Sequence, residues 1–122
     1  METRLEQMEE ITILVLAGEK LDKSNAGNFE QYMASVLPSN QKMLFDMSLL
    51  QFVDSAGLGV LLSHLRKLRA AGSELKLFGL TNQVRGLFEL VRMHRIFDVY
   101  NTKEEAYSAF QLSHLPQNQV AA

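Results

Sequence analysis

The sequence predicts a single α/β domain: a mixed, mostly parallel sheet of about five strands with four helices. Three observations carry that prediction. After an opening pair of strand-like segments, β-branched or apolar runs alternate with segments of helical spacing, and such alternation needs helices to make parallel crossovers. The 122 residues suit one domain with one hydrophobic core. The apolar fraction of 47% against 21% charged residues is that of an ordinary globular chain.

The first strands are expected at Thr3–Gln7 and Ile11–Leu16, joined by a short turn at Met8-Glu9-Glu10. The run Ile11-Thr12-Ile13-Leu14-Val15-Leu16 is nearly all apolar, as a strand covered on both faces should be. Gly18 breaks it. A helix follows from about Ser24 to Leu37, with Phe29, Met33, Val36 and Leu37 on one stripe and Pro38 just past its end.

Met43-Leu44-Phe45-Asp46 reads as a short buried strand, and the loop Met47 to Asp54 leads into a helix over Ser55 to Ala70. In that helix Leu58, Leu61, Leu62, Leu65 and Leu68 keep helical spacing, Arg66, Lys67 and Arg69 point outward, and Gly72 is the stop. Glu74 to Gly79 is the next strand. Asn82 is the expected cap of a helix carrying Val84, Leu87, Phe88 and Val91. Ile96 to Tyr100 is the last strand, and Thr102-Lys103-Glu104-Glu105 forms a capping box before a helix with Ala106, Ala109 and Phe110. The domain is thus expected over residues 1–112, with residues 113–122, polar and aperiodic, as a disordered tail.

Several function classes fall away. Twelve basic against fourteen acidic residues leave a net charge of −2, not the basic footprint of a nucleic-acid binder. The absence of cysteine removes disulfides, thiolate metal sites and thiol nucleophiles. The first residues have no signal-peptide core, and no apolar run approaches the roughly 20 residues of a membrane helix, so a cytoplasmic location without membrane insertion is expected. The histidines at 64, 94 and 114 show no metal-ligand spacing. His64 stands nine residues beyond Ser55, about 13.5 Å along the helix and half a turn round, too far to act as its base. Gly-x-Ser-x-Gly is absent, Leu62 replaces the third glycine of a dinucleotide loop, and there is no Gly-Lys-Ser/Thr phosphate loop. No catalytic residue, metal or cofactor is expected, and the chain reads as a non-enzyme. Arg85, Arg92 and Arg95 read as a solvated face, and Met33, Met43 and Met47 as core fillers.

The segment Asp46 to Leu61 holds the unusual features. A serine, Ser55, opens a helix, where free backbone N–H groups and the positive dipole end favour an added anion. Two glycines, Gly57 and Gly59, occupy the first turn although each costs about 1 kcal/mol against alanine. They remove side chains where another backbone or protein could approach closely. Asp46 and Asp54 flank the loop. Alone, Asp54 or Ser55 could be an ordinary N-cap.

Asp46-x-Ser48-x-x-x-Phe52-Val53-Asp54-Ser55-Ala56-Gly57-Leu58-Gly59 resembles the signature loop of the STAS domain, named for sulfate transporters and anti-sigma factor antagonists. Upstream, Gly18-Glu19-Lys20-Leu21-Asp22 matches the family's Gly-x-Leu-Asp element with one extra residue, and the likeness runs over about residues 3–110. The resemblance implies a STAS-like domain acting as an anti-sigma factor antagonist. It implies that Ser55 is phosphorylated by an anti-sigma factor with serine kinase activity, which the unmodified protein binds, and that a serine phosphatase reverses the mark. Asp22, Asp46, Ser48, Asp54, Ala56, Gly57, Leu58 and Gly59 would form the phosphosite environment or partner surface. Ala56 stands where many members have Ser or Thr, which leaves Ser55 as the acceptor. A subunit of a transporter-associated or larger signalling complex is the alternative the resemblance allows.

Overall fold

The computed structural model of the protein describes residues 2–36 and 42–112. Eleven elements run in the order β1 (Thr3–Met8), β2 (Ile11–Leu16), β3 (Lys20–Leu21), α1 (Ala26–Val36), β4 (Lys42–Asp46), β5 (Phe52–Val53), α2 (Ser55–Ala70), β6 (Leu75–Phe78), α3 (Asn82–Leu90), β7 (Asp98–Tyr100) and α4 (Lys103–Leu112). A five-stranded sheet has the order β1-β2-β4-β6-β7, antiparallel at β1–β2 and parallel at the other pairs. The mixed, mostly parallel sheet and four helices agree with expectation. So does the hairpin, closed at Met8–Ile11 with Glu9 at φ 55°.

Burial follows the pleat, since successive strand side chains face opposite ways. Every residue of β2 is buried, as its nearly all-apolar run requires. Leu14, Leu16, Met43, Phe45, Leu75 and Leu77 point into the larger core, shared with Phe29 and Met33 of α1, the apolar stripe of α2, and Val84 and Phe88 of α3. Ile11, Ile13 and Leu44 point the other way and are met by Ala106 and Phe110 of α4. Three helices therefore cover one face and one helix the other. Met33, Met43 and Met47 are fully buried, as core fillers should be.

Several local expectations are corrected. The loop before Ser55 is not structureless: Phe52–Val53 pairs in parallel with Lys20–Leu21 as a separate two-stranded ribbon. The helix expected from Ser24 begins at Ala26, because Asp22 and Asn25 build a side-chain-closed turn ahead of it. Thr81, not Asn82, is the N-cap of α3: its hydroxyl accepts from the Val84 N–H at 3.4 Å and donates to the Leu50 carbonyl at 2.9 Å. The last strand begins at Asp98, since Met93–Arg95 forms a 3-10 turn that Ile96 and Phe97 close through N–H bonds to the Met93 carbonyl. Leu37, Pro38 and the expected tail 113–122 lie outside the described residues. Helix α2 spans the expected residues, and its end is closed as Gly72 led us to expect. Gly72 is left-handed at φ 78°, its N–H bonds to the Arg69 carbonyl, and the Ser73 N–H bonds to the Leu68 carbonyl. Half of the expected capping box is formed: the Thr102 hydroxyl accepts from the Glu105 N–H at 3.1 Å, while the Glu105 carboxylate accepts from that hydroxyl at 3.2 Å.

Candidate functional site

The β3–β5 ribbon positions the start of α2. Leu21 and Val53 are buried and fix the ribbon to the core, while the Glu19 carbonyl accepts from the N–H groups of Gln51 and Phe52. The ribbon hands the chain to Asp54, whose N–H donates to the Leu21 carbonyl at 3.3 Å. Asp54 is the N-cap of α2. One carboxylate oxygen accepts from the Gly57 N–H at 2.9 Å and the other from the Lys23 N–H at 3.0 Å. A single side chain thus starts the helix and ties it to the loop ahead of α1.

Gly57 lies beneath that loop. A Cβ there would stand 2.2 Å from the Leu21 carbonyl oxygen and 2.9 Å from a Val53 methyl, so glycine is needed for the chain's own ribbon to pass. Of the two expected reasons for these glycines, another backbone or another protein coming close, Gly57 meets the first. Gly59 has no such neighbour: it is exposed, and a Cβ there would meet nothing within 4 Å. Leu58 is buried in the larger core and Ala56 is half-buried against it, so both serve the helix's inner face.

Ser55, the first residue of α2, is exposed. Among the described residues, its hydroxyl makes no hydrogen bond. The Asp54 carboxylate beside it is directed to Gly57 and Lys23 instead. Of the first-turn N–H groups the Asp54 side chain takes that of Gly57, and the helical ladder begins with the Leu58 N–H to the Asp54 carbonyl. The first-turn N–H groups of Ser55 and Ala56 therefore have no hydrogen-bond partner among the described residues.

Asp22 ends β3's side of the site. Its carboxylate accepts the N–H and hydroxyl of Ser24 and lies 3.8 Å from the Lys20 ammonium. The Ser24 hydroxyl bond, then its backbone bond and the neighbouring lysines, outweigh partial desolvation and hold the Asp22 carboxyl below the usual range. It is an anion at neutral pH. The bond from Lys23 to Asp54 brings the Asp22 turn against the start of α2.

Asp46 and Ser48 form a second, separate arrangement. Asp46 accepts the Ser48 N–H at 3.0 Å and its hydroxyl at 2.7 Å, and the Ser48 Cβ backs onto Gly79, left-handed at φ 76°. Their contacts run to the β6 side, through Met47 N–H to the Phe78 carbonyl and Thr81 to Leu50. The structure therefore joins Asp22, Asp54, Ser55 and Gly57 and does not bond Asp46 or Ser48 to them.

The sequence reading missed Leu21 and Lys23 as backbone partners, and Leu49 and Phe52 as exposed apolar side chains at 49% and 54%. The loop also holds Met47, Leu50 and Val53, which are buried, so the sequence alone could not tell the exposed apolar residues from the core ones. It also missed His64 as a core residue. The ring is 1% exposed and packs edge-on against Phe29 and Phe45, with centroids at 5.9 and 6.5 Å. Neither ring nitrogen has a hydrogen-bond partner among the described residues. Burial, then the Lys67 charge, pushes its pKa down to about 4. It is neutral packing on the inner face of α2.

The STAS domain family model matches residues 2–106. BtrV of Bordetella bronchiseptica, assigned by name as an anti-sigma factor antagonist, is 30% identical over 112 residues, which cover 91% of this chain and 96% of BtrV. An anti-sigma factor antagonist from Mycobacterium paratuberculosis superposes with a TM-score of 0.78 at 22% identity, over 88% of this chain and 92% of that one. The Bacillus cell-fate determinant SpoIIAA in its phosphorylated form gives 0.64 at 21% identity, over 89% and 99%. The same fold occurs within the murine anion transporter Slc26a9, with a TM-score of 0.68 at 22% identity, over 87% of this chain and 18% of the transporter.

Proposed function

The chain belongs to the STAS domain family, and from that premise we propose that it is an anti-sigma factor antagonist switched by phosphorylation of Ser55. Unmodified, it binds an anti-sigma factor with serine kinase activity. Phosphate on Ser55 ends that binding, and a serine phosphatase restores it. The protein works by binding in the cytoplasm and turns nothing over itself.

One observation carries the reading: Ser55 is exposed and unbonded among the described residues, while Asp54 beside it is bound to Gly57 and Lys23. A serine used only as a cap or a core link would have its hydroxyl engaged. The name borne by BtrV supports the class of function. The phosphorylated state of SpoIIAA supports a phosphate switch on this fold.

The switch works by charge at a contact surface. A phosphoserine adds about −1.5 to −2 charges at neutral pH. The free N–H groups and dipole of α2 stabilise that charge by up to about 1 kcal/mol at an exposed site, so modification leaves the fold intact. Leu49 and Phe52, exposed in the same loop, offer an apolar contact that a dianion alongside would disrupt on desolvation. A loss of about 1.4 kcal/mol weakens binding tenfold.

The test is capture from the native cell with wild type, Ser55→Ala and Ser55→Asp as baits, followed by calorimetric titration of the recovered kinase. Ser55→Ala is expected to bind as wild type and resist switching. Ser55→Asp is expected to bind about tenfold more weakly with an unchanged circular dichroism spectrum. Equal affinity for phosphorylated and unmodified protein would refute the switch, and recovery of a membrane transport complex instead would favour the scaffold alternative.

A further inference from the structure

We propose that the outer edge of β1 pairs with β1 of a second copy, antiparallel about a two-fold axis through Leu5, joining the two five-stranded sheets into one.

The backbone sets the geometry. The Ala17 N–H donates to the Glu2 carbonyl at 2.9 Å, and the β1–β2 register continues Thr3↔Leu16 to Met8↔Ile11 without a break. Hydrogen-bonded and non-bonded pairs alternate in an antiparallel ladder. Glu2, Arg4, Glu6 and Met8 therefore turn their N–H and carbonyl groups toward β2, whereas Thr3, Leu5 and Gln7 turn theirs outward. Among the described residues no strand pairs with that outer edge. The edge holds no proline or bulge, and its four central side chains are exposed on both faces, so among the described residues no helix obstructs an incoming strand.

Charge selects the register and the partner. Outward groups can pair only odd residue with odd residue. Centring the two-fold on Arg4 sets Arg4 against Arg4 of the other copy, and centring it on Glu6 sets Glu6 against Glu6, each in the closer, non-bonded position where like charges repel. Centring it on Leu5 pairs Thr3 with Gln7, Leu5 with Leu5, and Arg4 with Glu6 twice over. It also gives the longest overlap within Thr3–Met8. Leu5, 44% exposed, then covers its own symmetry mate. Arg4 and Glu6 already share a face, as their 3.3 Å ion pair shows, and that face is the one the pairing requires. The charges that would repel a generic strand are thus self-complementary under this one operation, as an isologous interface demands.

Sedimentation velocity on the full chain over a concentration series tests it. A reversible monomer–dimer equilibrium is expected. Glu6→Arg and Arg4→Glu should each weaken it about tenfold, since either puts like charges in both cross-strand positions. Mixed in equal amounts, the two variants should form a heterodimer, because every pair is then of opposite sign. That rescue separates a lost interface from a lost fold. A chain that stays monomeric to millimolar concentration, a dimer unchanged by Glu6→Arg, or variants that fail to associate on mixing would each overturn the proposal.

Discussion

Two Asp–Ser arrangements lie nine residues or fewer apart on the same loop, and they are wired in opposite ways. Asp46 turns back on its own neighbour and takes both the N–H and the hydroxyl of Ser48, so that serine is engaged. Asp54 turns away from its neighbour to Gly57 and Lys23, and Ser55 is left exposed. The difference lies in where the chain goes next. After Asp46 it makes a turn, and a carboxylate at the head of a turn naturally accepts from two residues on. After Asp54 it enters a helix, where the cap reaches three residues on. A short acidic–hydroxyl spacing therefore does not decide whether the serine is engaged; the element that follows does.

The largest expected effect breaks the Asp54 side at its foundation. Gly57→Ala forces a methyl into the Leu21 carbonyl, and the ribbon must shift with the cap it carries. Overpacking of this kind costs about 3 kcal/mol, so the urea midpoint should fall steeply while its slope stays the same. Acid acts beneath both arrangements, on His64. Its folded pKa of about 4 lies below the ordinary 6.5, so the unfolded chain binds the proton first. Stability is full above about pH 6.5 and is lost as pH falls toward 4, by up to about 3 kcal/mol. Unfolding free energies at pH 7 and pH 5 should differ in wild type, and His64→Phe should remove most of that difference.

The comparison itself is sharpened by removing each carboxylate. Asp54→Ala loses the helix cap and the bond to Lys23, at a cost of about 1–2 kcal/mol, and Asp54→Asn recovers part of it. Asp46→Ala loses bonds to one exposed neighbour and should cost about 0.5–1 kcal/mol. Equal losses in thermal melts would mean the two arrangements are not wired differently.

The elements with long patterns were legible in the sequence: β2 as a nearly all-apolar strand, and α2 from its serine to its closing glycine. So was the start of α2 at Ser55, while the sequence left its cap open between Asp54 and Ser55 and the structure gives it to Asp54. What escaped was set by contacts distant in sequence. The strands Lys20–Leu21 and Phe52–Val53 are too short to carry a period, and each exists because the other lies beside it. Thr81 and Asn82 are both good caps, and the Leu50 carbonyl decides between them. The need for glycine at 57 comes from Leu21, thirty-six positions earlier, and so cannot be told locally from the openness at Gly59. His64 continues the helical spacing of α2 inward, but a histidine in the core with unbonded nitrogens runs against the usual satisfaction of buried polar groups.

Gly59→Ala gives the smallest effect on the fold and the sharpest reading of the surface. The position lies inside α2, where glycine costs about 0.5–1 kcal/mol against alanine, and an added methyl meets nothing within 4 Å. Alanine should therefore stabilise the free domain by about that amount, raising its melting temperature by a few degrees. The sign is opposite to that at Gly57, although the two glycines are neighbours on one turn. If the open surface beside Ser55 exists to let a partner come close, the same methyl that strengthens the fold will hold that partner off. Calorimetric titration should then show weaker binding by a few-fold from a more stable protein, a combination that lost folding cannot produce. Unchanged affinity in a stabilised variant would place the contact surface elsewhere on the loop, toward Leu49 and Phe52, and leave Gly59 without a part in it.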